Sequence, residues 1–376
     1  MPKNEKNINC KQKPLLLFSP LDWGLGHVTR SMPLLKEFIE NGWEVVVACN
    51  STQKKVLEAE LPALKYTLRR PLNMKYGQNS LLTRVKVGFQ LLKILIQINE
   101  EKRWTSHFLR HNHVDAILSD NCYGVFSPSV PSIFITHQLR PRSGLGDFTD
   151  LIVQRLLNKY INCFNECWIP DYKDGKTLSG SLSHFGKFPQ TPVKYIGALS
   201  RLKCIQKNDG SLFDLLVIIS GPEPQRTIFE QLVASEISGM HQRGKNLSVV
   251  VIRGLPDVPV AQLNCRARQF NHISAEQLSE LASSAKFVLS RSGYTTIMDM
   301  FKLKKNLIVV PTPGQTEQEY LAQHLQKNKI AVVAEQKNFS LEKAIQKAES
   351  FDYNFPDVDM NYYKKVVKDF TSEITS

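Results

Sequence analysis

Residues 14–49, PLLLFSPLDWGLGHVTRSMPLLKEFIENGWEVVVAC, decide how this chain folds. Pro14 to Ser19 is a short apolar run of strand length. A glycine-containing loop follows, then a helical pattern from about Ser31 to Asn41 that Gly42 stops, and Glu44 to Cys49 supplies a second strand. Two strands joined by a helical crossover, rather than a tight hairpin, lie parallel, so the class is α/β. In open parallel sheets ligands bind beyond the carboxyl ends of the strands. The loop from Ser19 to Arg30 is therefore where a site belongs.

Outward from this unit, Ala116 to Ser119 and Ser132 to Thr136 read as further strands, each running into a polar loop. The pattern then restarts. Leu215 to Ser220 is a strand ending at Gly221-Pro222-Glu223-Pro224 with a helix from about Gln225, and Leu247 to Arg253, Lys286 to Ser290 and Asn306 to Val310 follow as strands. At 376 residues the chain exceeds what one core usually serves. The expectation is two Rossmann-like, doubly wound domains over residues 1–190 and 200–350. The division falls near 186–212, where Gly, Pro and Lys concentrate. Residues 351–376 form a proline-containing linker and a helix from Asn361 to Glu373, with no strand after it.

Composition is that of an ordinary globular protein, 42% apolar and 22% charged, with a net charge of +13. That excess suits an anionic partner: nucleic acid, a membrane surface or a phosphorylated small molecule. No nucleic-acid-binding signature accompanies the scattered positive charges, which argues against the first. Met1 to Lys13 are polar and lysine-rich, no run of about 18 apolar residues exists, and the seven cysteines lack CxxC spacing. A cytoplasmic chain with reduced thiols is expected.

Three loops carry candidate chemistry. In the first, Gly24 and Gly26 permit close backbone approach to a ligand, while His27 is either a general base or a helix-capping residue. Asp22 is a second candidate base. The loop has neither the third glycine of a dinucleotide fingerprint nor the Gly-Lys-Ser/Thr of a P-loop. The second, Ser290-Arg291-Ser292-Gly293-Tyr294-Thr295-Thr296-Ile297-Met298-Asp299, follows a strand and opens a helix. Amides near Ser292 and Gly293 can there bond phosphate oxygens, and Asp299, two turns in, can accept from a ribose diol. The third, Pro311-Thr312-Pro313-Gly314-Gln315-Thr316-Glu317-Gln318-Glu319, enters a helix whose first turn is acidic. Those groups either complement the helix dipole or, through Gln318 and Glu319, bond sugar hydroxyls.

The second and third loops, with their spacing, resemble the nucleotide-binding half of glycosyltransferase family 28, the family of the MurG-like transferases. That resemblance implies the GT-B fold, two Rossmann-like domains facing a central cleft, with a UDP-sugar donor held by the C-terminal one. It implies that Asp299, six residues after Gly293, contacts ribose, and that Gln318 and Glu319 take the place of the family's Gln-Gln pair on the donor sugar. On the donor side it groups Ser220, Gly221 and Arg226, with Arg201, Arg291, Ser292, Gly293, Tyr294 and Thr295. On the acceptor side it groups Gly24, Gly26, His27 and Arg30, with His137 and Gln138 matching a His-Glu-Gln stretch. It also implies that the last helix returns to the N-terminal domain.

The expected reaction is a single inverting displacement, with His27 or Asp22 deprotonating an acceptor hydroxyl and main-chain amides, with Arg201 or Arg226, meeting the departing diphosphate. No metal or other cofactor is expected, on the reading that the sequence lacks the Asp-x-Asp motif usual in metal-dependent GT-A transferases. The loop from Gly24 to Arg30 also resembles that of UDP-sugar hydrolases of pseudaminic acid synthesis, in which water replaces the acceptor. Leu81 to Ile98 is a strongly apolar helical stretch with a narrow polar stripe, and Arg84, Lys102, Arg103 and Arg110 lie nearby. It is either a buried helix or a membrane-facing patch spanning residues 81–110. The second alternative fits a lipid-linked acceptor and a peripheral position on the inner face of the plasma membrane.

Overall fold

The N-terminal unit begins as the sequence pattern requires. A computed structural model of the chain describes residues 13–22, 24–69, 83–185, 188–205, 212–256 and 263–375, the side chains of 83–91 excepted. Its strands and helices run β1 Leu15–Pro20, α1 Gly26–Glu40, β2 Glu44–Cys49, α2 Ser51–Glu60, β3 Lys65–Leu68, α3 Thr83–His111, β4 Ala116–Asp120, β5 Ser132–Ile135, α4 Asp147–Ile161, β6 Glu166–Ile169 and β7 Val193–Tyr195. The strands form one parallel sheet in the order β3-β2-β1-β4-β5-β6-β7. Helices cover both faces, so Leu16, Leu17 and Phe18 of β1 are all buried although they point alternately up and down.

The second unit repeats the plan: β8 Phe213–Ile218, α5 Gln225–Gln242, β9 Val249–Ile252, β10 Arg268–Phe270, α6 Ala275–Ser284, β11 Ala285–Ser290, α7 Tyr294–Lys302, β12 Leu307–Val309, α8 Thr316–Lys327, β13 Ala331–Val333 and α9 Leu341–Glu349. Its parallel sheet has the order β10-β9-β8-β11-β12-β13. In each sheet the order of strand addition reverses beside the first strand, between β1 and β4 and between β8 and β11. These two switch points open the crevices in which ligands of such sheets bind.

Local signals place the helix ends. Asn50 and Gln53 make a reciprocal capping box at the start of α2, as Ser274 and Gln277 do for α6. Gly42, at φ +87°, takes the left-handed conformation that ends α1. Helix α1 starts five residues before the expected Ser31, so His27 and Arg30 lie in its first turns and not in the preceding loop.

The last helix, α10 Tyr362–Thr375, packs on α1 of the N-terminal unit. Phe370 meets the edges of Phe38 and Trp168 at 6.2 and 5.7 Å between ring centres, and Val367 is fully buried. Among the described residues no helix is long and apolar enough to cross a membrane. The apolar stretch of residues 81–98 lies within the 29-residue α3. Its part at 81–82 and the side chains of 83–91 fall outside the described residues. Beyond them Ile98 is buried, whereas Leu92 and Ile96 are each 59% exposed.

Candidate active site

The N-terminal switch point holds a closed set of charged groups. Pro20 of β1 is in register with Asp120, the last residue of β4, so the carboxylate stands directly beneath the start of α1. Asp120 is fully buried. Its Oδ1 lies 3.0 Å from His27 Nδ1, and its Oδ2 accepts from Arg30 Nε at 2.8 Å and Ser31 Oγ at 3.0 Å; a second Arg30 nitrogen also donates to it. Burial alone would raise this carboxyl, but the Arg30 guanidinium, with hydrogen bonds from His27 and Arg30, holds it far below the usual carboxylate range. Burial and the neighbouring Arg30 guanidinium lower His27 against the opposing pull of Asp120. At neutral pH the imidazole is therefore uncharged, and Nδ1–H faces an ionised carboxylate. The lone pair is left on Nε2, the arrangement of a base oriented by a carboxylate.

Asp120 was absent from the sequence-derived candidates. Its signal was an acidic residue closing the strand next to β1, one position beyond the expected strand end at Ser119. Asp22, the second candidate base, instead accepts a hydrogen bond from Asn50 Nδ2 at the N-cap of α2.

His137 and Gln138 follow β5 and reach the same crevice. Arg30 Nη1 lies 3.0 Å from His137 Nδ1, and His137 Nε2 lies 2.9 Å from Glu317 Oε1 in the first turn of α8. The His137 ring stacks on Tyr294 of α7, with centres 4.1 Å apart and planes 3° from parallel. Burial would raise the Glu317 carboxyl, but hydrogen bonds from His137 and Gln138 bring it below its ordinary value. Glu317 was likewise not singled out from the sequence, where the neighbouring Gln318 and Glu319 drew the attention.

The two halves meet along these elements. Thr295 Oγ1 donates to the Gly26 carbonyl at 3.1 Å, which brings the N-terminus of α7 against the first turn of α1, the turn that carries His27. Tyr294 donates its hydroxyl to Pro170 O at 2.8 Å, and Thr316 donates to Arg142 O at 2.6 Å. Tyr320 accepts from the amide of Ser181 at 2.6 Å, and a Cβ on Gly180 would stand 2.3 Å from its hydroxyl, so only glycine fits there. On the other flank Glu60 of α2 accepts from Arg201 at 3.2 Å and from the amide of Ala275 at 2.7 Å.

The C-terminal switch point differs from its sequence-derived picture in its arginines. Arg291 is buried, donating to the carbonyls of Val310, Pro311 and Gln225 and lying 4.2 Å over the Phe229 ring. Burial lowers its guanidinium to about 10. Arg226 is bonded to Glu223 at 2.6 Å and Glu230 at 3.1 Å, and Glu230 also holds Arg253 at 2.7 Å. Arg201 is held by Glu60. Arg201 and Arg226, the alternatives expected on the diphosphate, and Arg291 of the donor-side group are thus all committed to protein partners. Open space fronts Gly221 and Gly293, where an added Cβ would meet nothing within 4 Å. Ser220 and Gly221 follow the end of β8 at Ile218, which pairs with Ser290 at the end of β11, just before the Ser292-Gly293 turn.

Ser292 donates to the Gln318 carbonyl at 2.8 Å, the Gln318 side chain accepts from Thr312 N at 2.9 Å, and Glu319 accepts from Gly314 N at 2.8 Å. Asp299 is buried and accepts from Ser200 Oγ at 2.5 Å, so its carboxylate faces the segment between the domains. Burial pushes it up to about 6, with Arg201, Ser200 and Lys302 pulling the other way. Among the described residues no group of three or more His, Cys, Asp and Glu is placed to hold a metal ion. The one Asp-x-Asp triplet of the sequence, Asp357-Val358-Asp359, lies in the exposed linker before α10, away from both switch points.

The whole chain is similar in fold to solved glycosyltransferases. The kitacinnamycin glycotransferase aligns with a TM-score of 0.61 at 12% identity, covering 96% of each chain. UGT89C1 of Arabidopsis thaliana, complexed with UDP-L-rhamnose, gives 0.56 at 13% identity, with 97% of this chain and 95% of that one covered. MurG of Acinetobacter baumannii gives 0.50 at 12%, with 96% and 94% covered. A sequence search of curated proteins finds no match. These likenesses, with two parallel-sheet units meeting at their switch points, define the GT-B class of architecture. Residues 215–371 match the glycosyltransferase family 28 C-terminal domain. The chain is thus a glycosyltransferase of GT-B architecture whose C-terminal half is similar to the family 28 C-terminal domain.

Proposed function

We propose that this enzyme transfers a hexosyl or N-acetylhexosaminyl group from a UDP-sugar to an acceptor hydroxyl, with inversion and without a metal. The observation that carries the reading is the His27–Asp120 pair at one switch point, with the N-terminus of α7 against the start of its helix. His27 Nε2 takes the acceptor proton as the hydroxyl oxygen attacks the anomeric carbon. The resulting imidazolium is stabilised by Asp120, and the sugar–phosphate bond breaks with its electrons leaving on the diphosphate. Amides at Ser292 and Gly293, at the positive end of α7, meet that charge. The UDP-L-rhamnose complex of a structural neighbour supports the choice of donor class.

The acceptor is lipid-linked in this reading. Leu92 and Ile96 on α3 and Phe148 and Ile152 on α4 are exposed, at 59, 59, 77 and 48%. The two helices touch where Lys102 lies 5.1 Å over the Tyr160 ring. Apolar side chains with a basic surround suit an anionic membrane face.

The test is thermal melting against UDP, UDP-sugars, other nucleotides and NAD, followed by UDP release. A ligand at about 100 times its Kd adds roughly 2.7 kcal/mol. His27→Ala and Asp120→Asn should retain the UDP shift and lose roughly 10²–10⁴ in UDP release. No response to any uridine nucleotide would sink the donor assignment. Full turnover without an acceptor would make water the acceptor and the enzyme a hydrolase.

A further inference from the structure

The mechanism above uses His27 and Asp120 but leaves His137 and Glu317 without a task, although they are bonded to the same network. A guanidinium has only donors, so His137 Nδ1, 3.0 Å from Arg30 Nη1, must present its lone pair. The ring proton then sits on Nε2, which donates to Glu317 Oε1 at 2.9 Å. Arg30, through Nε and a terminal nitrogen, fixes the Asp120 carboxylate, and Asp120 in turn orients His27. One end of this chain, Glu317, belongs to α8 of the C-terminal domain, and the Tyr294 ring that lies flat on His137 belongs to α7. The other end is the base in the N-terminal domain.

We infer that His137 is a positioning residue that conveys closure of the two domains to His27. When α8 is docked, the Glu317 carboxylate selects the Nε2–H tautomer of His137, whose Nδ1 then accepts from Arg30 and completes the set that holds Asp120. When α8 withdraws, Arg30 alone still favours that tautomer, while the Gln138 amide nitrogen, 3.4 Å from Nε2, favours the other. A ring with its proton on Nδ1 turns a donor toward the Arg30 guanidinium, and Asp120 loses the fixed geometry it offers His27. The base is then fully oriented only while the donor-binding domain is closed over it. This inference rests on the reading of His27 as the base.

Long-range ¹H–¹⁵N spectra of the histidine rings in the full-length protein test it, with His137→Asn to assign the signals. Wild type should show His137 as one neutral tautomer, protonated at Nε2, with and without UDP. Glu317→Ala should give a tautomer mixture, and Glu317→Gln, which keeps an acceptor, an intermediate pattern. In UDP-release assays Glu317→Ala should lower kcat roughly tenfold with little change in donor KM, with part regained in Glu317→Gln. An unchanged His137 tautomer in Glu317→Ala would overturn the inference. So would a raised donor KM at unchanged kcat, because Glu317 would then be binding the sugar. If UDP fails to bind at all, the donor reading falls, while the ligand-free spectra of wild type and Glu317→Ala still decide the tautomer question.

Discussion

The two switch points of this molecule are built from the same fold and spend their charges differently. On the N-terminal side His27, Arg30, Asp120 and His137 form a connected set whose one exposed edge is the imidazole, and each member orients the next. On the C-terminal side the arginines nearest the crevice are turned inward, Arg291 onto carbonyls and Arg226 onto Glu223 and Glu230. What remains toward the cleft is main chain at Gly221 and Gly293. A proton-transfer site needs a defined tautomer and therefore fixed charged neighbours. An anion that must bind and then leave is served by amides and a helix terminus, which hold it without a full opposing charge.

The contrast can be broken by experiment. Arg226→Ala should cost about 3 kcal/mol of stability, the low end for breaking a buried pair because Arg253 still holds Glu230, and should leave UDP affinity unchanged. Urea unfolding beside a UDP titration separates the two. A lost UDP affinity at unchanged stability would return that cation to the donor site.

A smaller effect belongs to Asp299, whose carboxyl is pushed up to about 6 in the fold. In the unfolded chain it titrates near 3.9, so folding takes up a proton between those values. Its destabilising contribution is absent below about pH 4, grows as pH rises to about 6 and is level above. Asp299→Asn should therefore gain about 2–3 kcal/mol at pH 7 and flatten the pH 4–6 slope of the melting temperature. If the variant instead loses the UDP-induced shift at unchanged intrinsic stability, the ribose contact implied by family resemblance is the right account.

The smallest effect concerns the outer face of the N-terminal domain. Leu92→Ser with Ile96→Ser should weaken sedimentation with anionic liposomes at low salt by roughly tenfold. Wild type that ignores such liposomes would remove the membrane from the picture.

The sequence carried the strands flanking both switch points because parallel strands buried on two faces are written as unbroken apolar runs, such as Leu15-Leu16-Leu17-Phe18 and Val249-Val250-Val251-Ile252. It carried the placement of His27 and Gly293 just beyond strand ends for the same reason, since each follows such a run. It did not carry which side chains pair across the fold. Asp120 stands 93 residues from His27 and meets it only through the register of β1 with β4. The commitment of Arg226 to Glu230 required knowing which face of α5 is buried. Three-residue strands such as β7, β10 and β13 are too short for a period to show.

The packing of α10 on α1 has a consequence for how the enzyme is made. The helix bearing His27 is translated well before the partner that covers its outer face, with the entire donor-binding domain between them. Until then Phe38 lacks Phe370, and Trp168 lacks the same ring. The N-terminal half must therefore persist incomplete through synthesis of its neighbour, and the packing of its outer face waits on α10.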